Sequence, residues 1–141
     1  MVIQESVLIH ASLEKVWDIF ESFTCWADWN RVLTDVRSHS ARLTEGQAFS
    51  CSIRPYLFPV DISPVVTSVE PLRKIVWTAS MYGISSVHEF SFDETPEGVV
   101  AESRERFNGL PLLFGTGRFF EENVRQLTVS FLEGLRVAAE K

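Results

Sequence analysis

Apolar positions along the chain follow one spacing, switch to a second, and then return to the first. Ile3, Val7 and Ile9 share a parity over residues 2–10, which predicts a strand with one buried face. After Ser12, suited to an N-cap, Leu13, Val16, Trp17 and Phe20 recur at helical spacing, with Glu14, Lys15, Asp18 and Glu21 opposite. A short second helix is expected after Thr24, carrying Trp26 and Trp29. Residues 32–107 alternate and are punctuated at Glu45-Gly46, Arg54 to Pro59, Glu70-Pro71, Tyr82-Gly83 and Thr95 to Gly98. About six consecutive strands with short connections follow, hence an antiparallel sheet. The final pattern, over about 116–140, sets Phe120, Val124, Leu127, Phe131, Leu135 and Ala138 in one stripe, with Asn123 and Gly134 at its border. Mid-helix Gly134 marks close packing or space left for something else. With no repeat and no linker, residues 1–141 are expected to form one domain.

The hairpin near the end of the strand region can be registered from its faces. If His88 lies opposite Glu105, then Phe90 opposes Ser103 and Phe92 opposes Ala101. One face is then apolar except where His88 meets Glu105. The other pairs Glu89 with Arg104 and Ser91 with Glu102, an ordinary solvated surface. A slip of one residue would mix the two. The preceding strand, 73–81, adds Ile75, Trp77, Ala79 and Met81 to the apolar face, and Phe49, Cys51 and Ile53 are expected on the same side.

Composition narrows the function. The formal net charge of −6 argues against nonspecific nucleic-acid binding and against attachment to anionic membranes. No apolar run approaches the ~20 residues that span a bilayer, so no stable membrane insertion is expected. The opening residues lack the features of a secretory signal, and two cysteines without paired spacing suit a reducing compartment, so a cytoplasmic setting is expected. His10 and His39 have no partners suggesting a metal, and no cofactor motif is present. The 11 Phe, 4 Trp and 2 Tyr must all find places in the fold.

Several segments carry a family resemblance. Ile9-His10-Ala11-Ser12-Leu13-Glu14-Lys15-Val16-Trp17, Trp26-Ala27-Asp28-Trp29-Asn30 and Val69-Glu70-Pro71-Leu72-Arg73-Lys74-Ile75-Val76-Trp77 resemble, in order, segments of the polyketide cyclase/dehydrase branch of the START-like (SRPBCC) superfamily. His88-Glu89-Phe90 and Glu105-Arg106-Phe107-Asn108-Gly109 extend the likeness. The resemblance implies an α+β helix-grip fold: a curved seven-stranded antiparallel sheet around a long C-terminal helix, with two short helices after the first strand. It also implies a cavity between sheet and helix for lipids, sterols, polyketides or similar molecules. The implied cavity residues are Trp77, Met81, His88, Phe90, Ser103, Glu105, Phe107, Phe120, Asn123 and Leu127. Implied portals are Tyr56-Leu57-Phe58-Pro59 and Leu110-Pro111-Leu112-Leu113-Phe114.

These readings give the expected function as binding of a hydrophobic or aromatic small molecule, its polar group oriented by His88, Glu105 and Asn123. One alternative is a cyclase/dehydratase enzyme with His88 as general base and Glu105 raising its basicity. A further alternative is a protein-interaction module without ligand. Trp26 and Trp29 are expected to close one end of the core. The apolar loop from Leu110 to Phe114 is expected to act as a lid, with a dimer contact as the alternative, so either a monomer or a homodimer is allowed.

Overall fold

The computed structural model describes residues 1–55, 58–109 and 117–141. Strand β1 (Val2–Ile9) leads into helices α1 (Leu13–Glu21) and α2 (Phe23–Trp29). Strands β2 (Thr34–Arg37), β3 (Ser50–Ile53), β4 (Val60–Ile62), β5 (Val65–Glu70), β6 (Lys74–Met81), β7 (Ile84–Thr95) and β8 (Gly98–Asn108) follow, and helix α3 (Gly117–Ala139) ends the fold. The expected α+β helix-grip class is the one observed.

The strand count needs correcting. Eight strands form two antiparallel sheets, β1-β8-β7-β6-β5 and β2-β3-β4, in place of seven in one. The break missed from sequence is Ser63-Pro64, which separates β4 from β5. Pro64 has no N–H to continue a ladder, although its carbonyl accepts from the Phe49 amide at 3.0 Å. An isolated bridge between Ala48 and Val65 links the two sheets there.

The hairpin register is as the faces predict: His88 opposes Glu105, Phe90 opposes Ser103 and Phe92 opposes Ala101. Tyr82 and Gly83, both at positive φ, make the two-residue turn between β6 and β7, the conformation whose twist matches paired strands. Ser12 caps α1 by accepting from the Lys15 amide at 3.2 Å, and Val16, Trp17 and Phe20 turn inward.

The interior divides into two clusters. The larger lies under α1, α2 and the C-terminal half of α3, around the fully buried Phe20. Its ring stands 4.9 Å from Phe90, 5.1 Å from Phe92 and 6.1 Å from Phe131. Trp26 donates its indole N–H to the Phe20 carbonyl at 2.8 Å, and Trp29 lies edge-on to Phe131 at 5.0 Å. Both tryptophans therefore close the end of the core, as expected. Gly134 marks close packing: a Cβ there would lie 2.5 Å from the Trp29 carbonyl oxygen. The smaller cluster comprises Ile3, Ile84, Phe107, Phe120 and Val124, with Met81 packed against it.

Helix α3 buries Phe120, Val124, Thr128, Phe131, Leu132, Leu135 and Ala139. Its stripe is thus turned from the expected one towards Thr128 and Leu132. At about 100° per residue, Asn123 lies roughly 100° from Val124 and falls at the edge of the buried face.

Candidate functional site

A cavity of about 80 Å³ opens between the two clusters, bounded by the sheet on one side and α3 on the other. One water needs only about 10–15 Å³ on such a measure, so the space exceeds an ordinary packing defect. Trp77, Phe90 and Phe131 form its wall towards the large cluster, while Met81, Ile84, Phe107, Phe120 and Val124 form it towards the small one.

Nine of the ten implied cavity residues meet here: Trp77, Met81, His88, Phe90, Ser103, Glu105, Phe107, Phe120 and Leu127. Asn123 does not join them. It is half-buried off the wall, for the rotational reason given above, and Thr128 lines the cavity instead. The Thr128 hydroxyl is already used, donating to the Val124 carbonyl at 2.9 Å. Of the portal residues, Phe58 is exposed, whereas Tyr56, Leu112 and Phe114 lie outside the described residues, as does the proposed lid from 110 to 114.

The polar part of the wall is a diagonal line across β7 and β8. His88 Nε2 is 2.7 Å from Ser103 Oγ, and His88 Nδ1 is 3.4 Å from Glu105 Oε1. Glu105 in turn accepts a hydrogen bond from Ser86. Direct opposition would pair His88 with Glu105 and Ser103 with Phe90; the Ser103 and Ser86 contacts instead reach one position along the same face. Such diagonal neighbours lie about 7–8 Å apart at the backbone, within reach of long side chains. The His88 ring stacks on Phe90 at 4.0 Å and meets Trp77 edge-on at 5.5 Å, so aromatic surfaces fix its plane.

Burial sets the charges in this line. Side chains of His88 and Glu105 are each 13% exposed. Desolvation pushes the imidazole down to about 3 and the Glu105 carboxyl up to about 7, the latter opposed by the Ser86 hydrogen bond. The sequence expectation that Glu105 raises the basicity of His88 is therefore overturned. Loss of hydration outweighs a carboxylate 3.4 Å away, and the imidazole is neutral.

Ser86 and Thr128 were missed from sequence. Alternation on β7 could have found Ser86, which shares the parity of His88 and Phe90. Glu5, on the inner face of β1 opposite Ser103, was also passed over; Arg125 of α3 holds its carboxylate at 2.8 Å. Cys51 is buried and desolvation pushes its thiol up to about 12, which keeps it protonated.

Comparison with known proteins agrees with this architecture. A family model described as polyketide cyclase / dehydrase and lipid transport matches residues 1–140. A search of curated protein sequences returned no match. Among solved structures, protein BH1534 from Bacillus halodurans shares 18% identity at a TM-score of 0.75, covering 99% of this chain and 97% of that one. Protein MLL2253 from Mesorhizobium loti shares 17% at 0.75, covering 97% and 95%. A protein from Nitrosospira multiformis shares 10% at 0.77, covering 99% and 96%. Likeness at such identities shows the fold alone. The chain belongs to the polyketide cyclase / dehydrase and lipid transport family.

Proposed function

We propose that this family member binds a hydrophobic or aromatic small molecule, lipid-, sterol- or polyketide-like, between the sheet and α3. The observation that carries this reading is the cavity itself, with an apolar wall interrupted by one line of buried hydrogen-bonding groups, Ser103, His88, Glu105 and Ser86. Small-molecule sites have this composition: mostly apolar lining and a few placed polar groups that fix orientation. A neutral imidazole and a carboxyl held near neutrality favour an uncharged hydroxyl, carbonyl or enol over an ion.

Native mass spectrometry of freshly purified protein tests the reading. A co-purified apolar molecule, lost from a Leu127→Phe variant whose fold is intact, is the expected result. Retention of the same adduct by that variant would place it outside this cavity and reject the reading.

A second reading is favoured by the same polar line: a cyclase- or dehydratase-type enzyme, in which a buried acid and a neutral base stand in one cavity. Turnover of the co-purified molecule, lost on His88→Ala with the fold retained, separates the enzyme from the carrier.

A further inference from the structure

His88 has a hydrogen-bonding group at each nitrogen, and the two groups differ in kind. Ser103 Oγ, on the Nε2 side, is fully buried from solvent yet lines the cavity. Glu105, on the Nδ1 side, is anchored by Ser86 at the far end of the line. A neutral imidazole carries one ring proton, so this arrangement permits two complete hydrogen-bonding states. With Glu105 ionised, Nδ1–H donates to the carboxylate and Nε2 accepts from the Ser103 hydroxyl. With Glu105 protonated, its O–H donates to Nδ1, Nε2–H donates to Ser103, and the Ser103 hydrogen is released towards the cavity.

We propose that Ser103, His88 and Glu105 form a proton relay in which Ser103 meets a phenol- or enol-type hydroxyl in the cavity, His88 passes the proton as a neutral imidazole, and Glu105 is the final acceptor. The step balances. The ligand's O–H proton moves to Ser103 Oγ as the Ser103 proton moves to Nε2 and the Nδ1 proton moves to Glu105. The ligand becomes an oxyanion, Glu105 becomes neutral, and the imidazole changes tautomer without becoming charged. One negative charge is moved through the buried site and none is created, which avoids the cost of a buried imidazolium. The 3.4 Å between Nδ1 and Glu105 is longer than a formed hydrogen bond, and the relay requires it to close.

Few other charges face this line among the described residues. From β1, Ile3 stands opposite Glu105 and Glu5 opposite Ser103. Glu5 pairs with Arg125 of α3 at 2.8 Å, and Glu121 lies 4.0 Å from the same guanidinium. From β6, Trp77 opposes His88. The Cys51 thiol of β3 is protonated at neutral pH.

The inference rests on the cavity reading for where a ligand meets Ser103, but its test needs no ligand. Nitrogen NMR of wild-type protein labelled on the histidine rings distinguishes imidazolium from the two neutral tautomers. The expected result is a His88 that stays neutral and switches from Nε2–H to Nδ1–H as pH rises through about 7. In Glu105→Gln that switch is absent. An imidazolium on the acid side of the transition, or one fixed tautomer from about pH 5 to 9 in wild type, overturns the relay. Either result leaves ligand binding intact, so failure of the relay and failure of the cavity reading remain distinguishable.

Discussion

The β7–β8 hairpin has two halves built on the same register but used differently. Near its turn, Phe90, Phe92, Val99 and Ala101 belong to the large cluster, where Phe90 and Phe92 meet Phe20 of α1, and the space between sheet and helices is filled with rings. Towards the other end, Ser86, His88, Glu105 and Phe107 face a cavity. The difference lies in what stands across from each half. Phe20, Trp26 and Trp29 project from two helices into the first, whereas among the described residues α3 covers the second together with the apolar side chains of Val32, Leu33, Ile53 and Ile62. One end of the sheet is therefore filled with rings while the other borders the cavity. Polar side chains can then be tolerated inside because they satisfy one another along the diagonal.

Changes at the two ends should separate stability from binding. The largest effect is expected for Phe20→Ala, since a fully buried ring among other rings leaves a void; urea denaturation should show a loss of about 3–5 kcal/mol. Retention of wild-type stability would mean that the filled end does not support the fold.

Glu105 gives the next effect, and its sign is opposite to that of most carboxylates. Its native pKa is raised from 4.5 to about 7, so between those values the folded state keeps a proton that the unfolded state has lost. Stability therefore falls as pH rises through that window. His88 works the other way: with its pKa lowered from 6.5 to about 3, the unfolded state binds more protons in between, and stability rises with pH there. Glu105→Gln removes the falling limb, and denaturation measured across pH should show the variant gaining on wild type by roughly 1–3 kcal/mol above about pH 7. A constant difference at every pH would contradict the raised carboxyl.

Gly134→Ala should cost about 1–3 kcal/mol, although alanine is the better helix former, because the new methyl meets the Trp29 carbonyl oxygen. Thermal melts suffice to see whether the variant is instead stabilised, which would show that α2 yields at no cost. The smallest stability change belongs to the open end. Leu127→Phe inserts a ring into existing space, so it should shift stability by less than about 1 kcal/mol while abolishing ligand binding.

Much of this division was legible in the amino-acid sequence. The hairpin register followed from its faces because a slip by one residue would have buried Glu89 and Arg104. Helix α3 was legible as an amphipathic stripe, but its rotation was not: Asn123 and Thr128 border the same apolar run, and only packing against the sheet chose between them. The split between β4 and β5 was hidden because Ser63-Pro64 sits within a run of strand-forming residues. Least legible was the electrostatics. His88 opposite Glu105 reads as an ion pair, and the outcome reverses because desolvation depends on surroundings that sequence alone does not specify. The Ser103 contact was hidden for a related reason, since it depends on diagonal reach across twisted strands.

The direct test of the open end is an NMR titration at about pH 8 with two ligands of matched shape, p-ethylphenol and p-ethylbenzoate. The uncharged phenol should shift resonances of Trp77, His88 and Phe107 saturably, the benzoate should not, and Leu127→Phe should abolish the response to the phenol. Equal binding of the benzoate, or saturable shifts confined to residues away from the cavity wall, would show that these buried groups do not select an uncharged ligand between the sheet and α3.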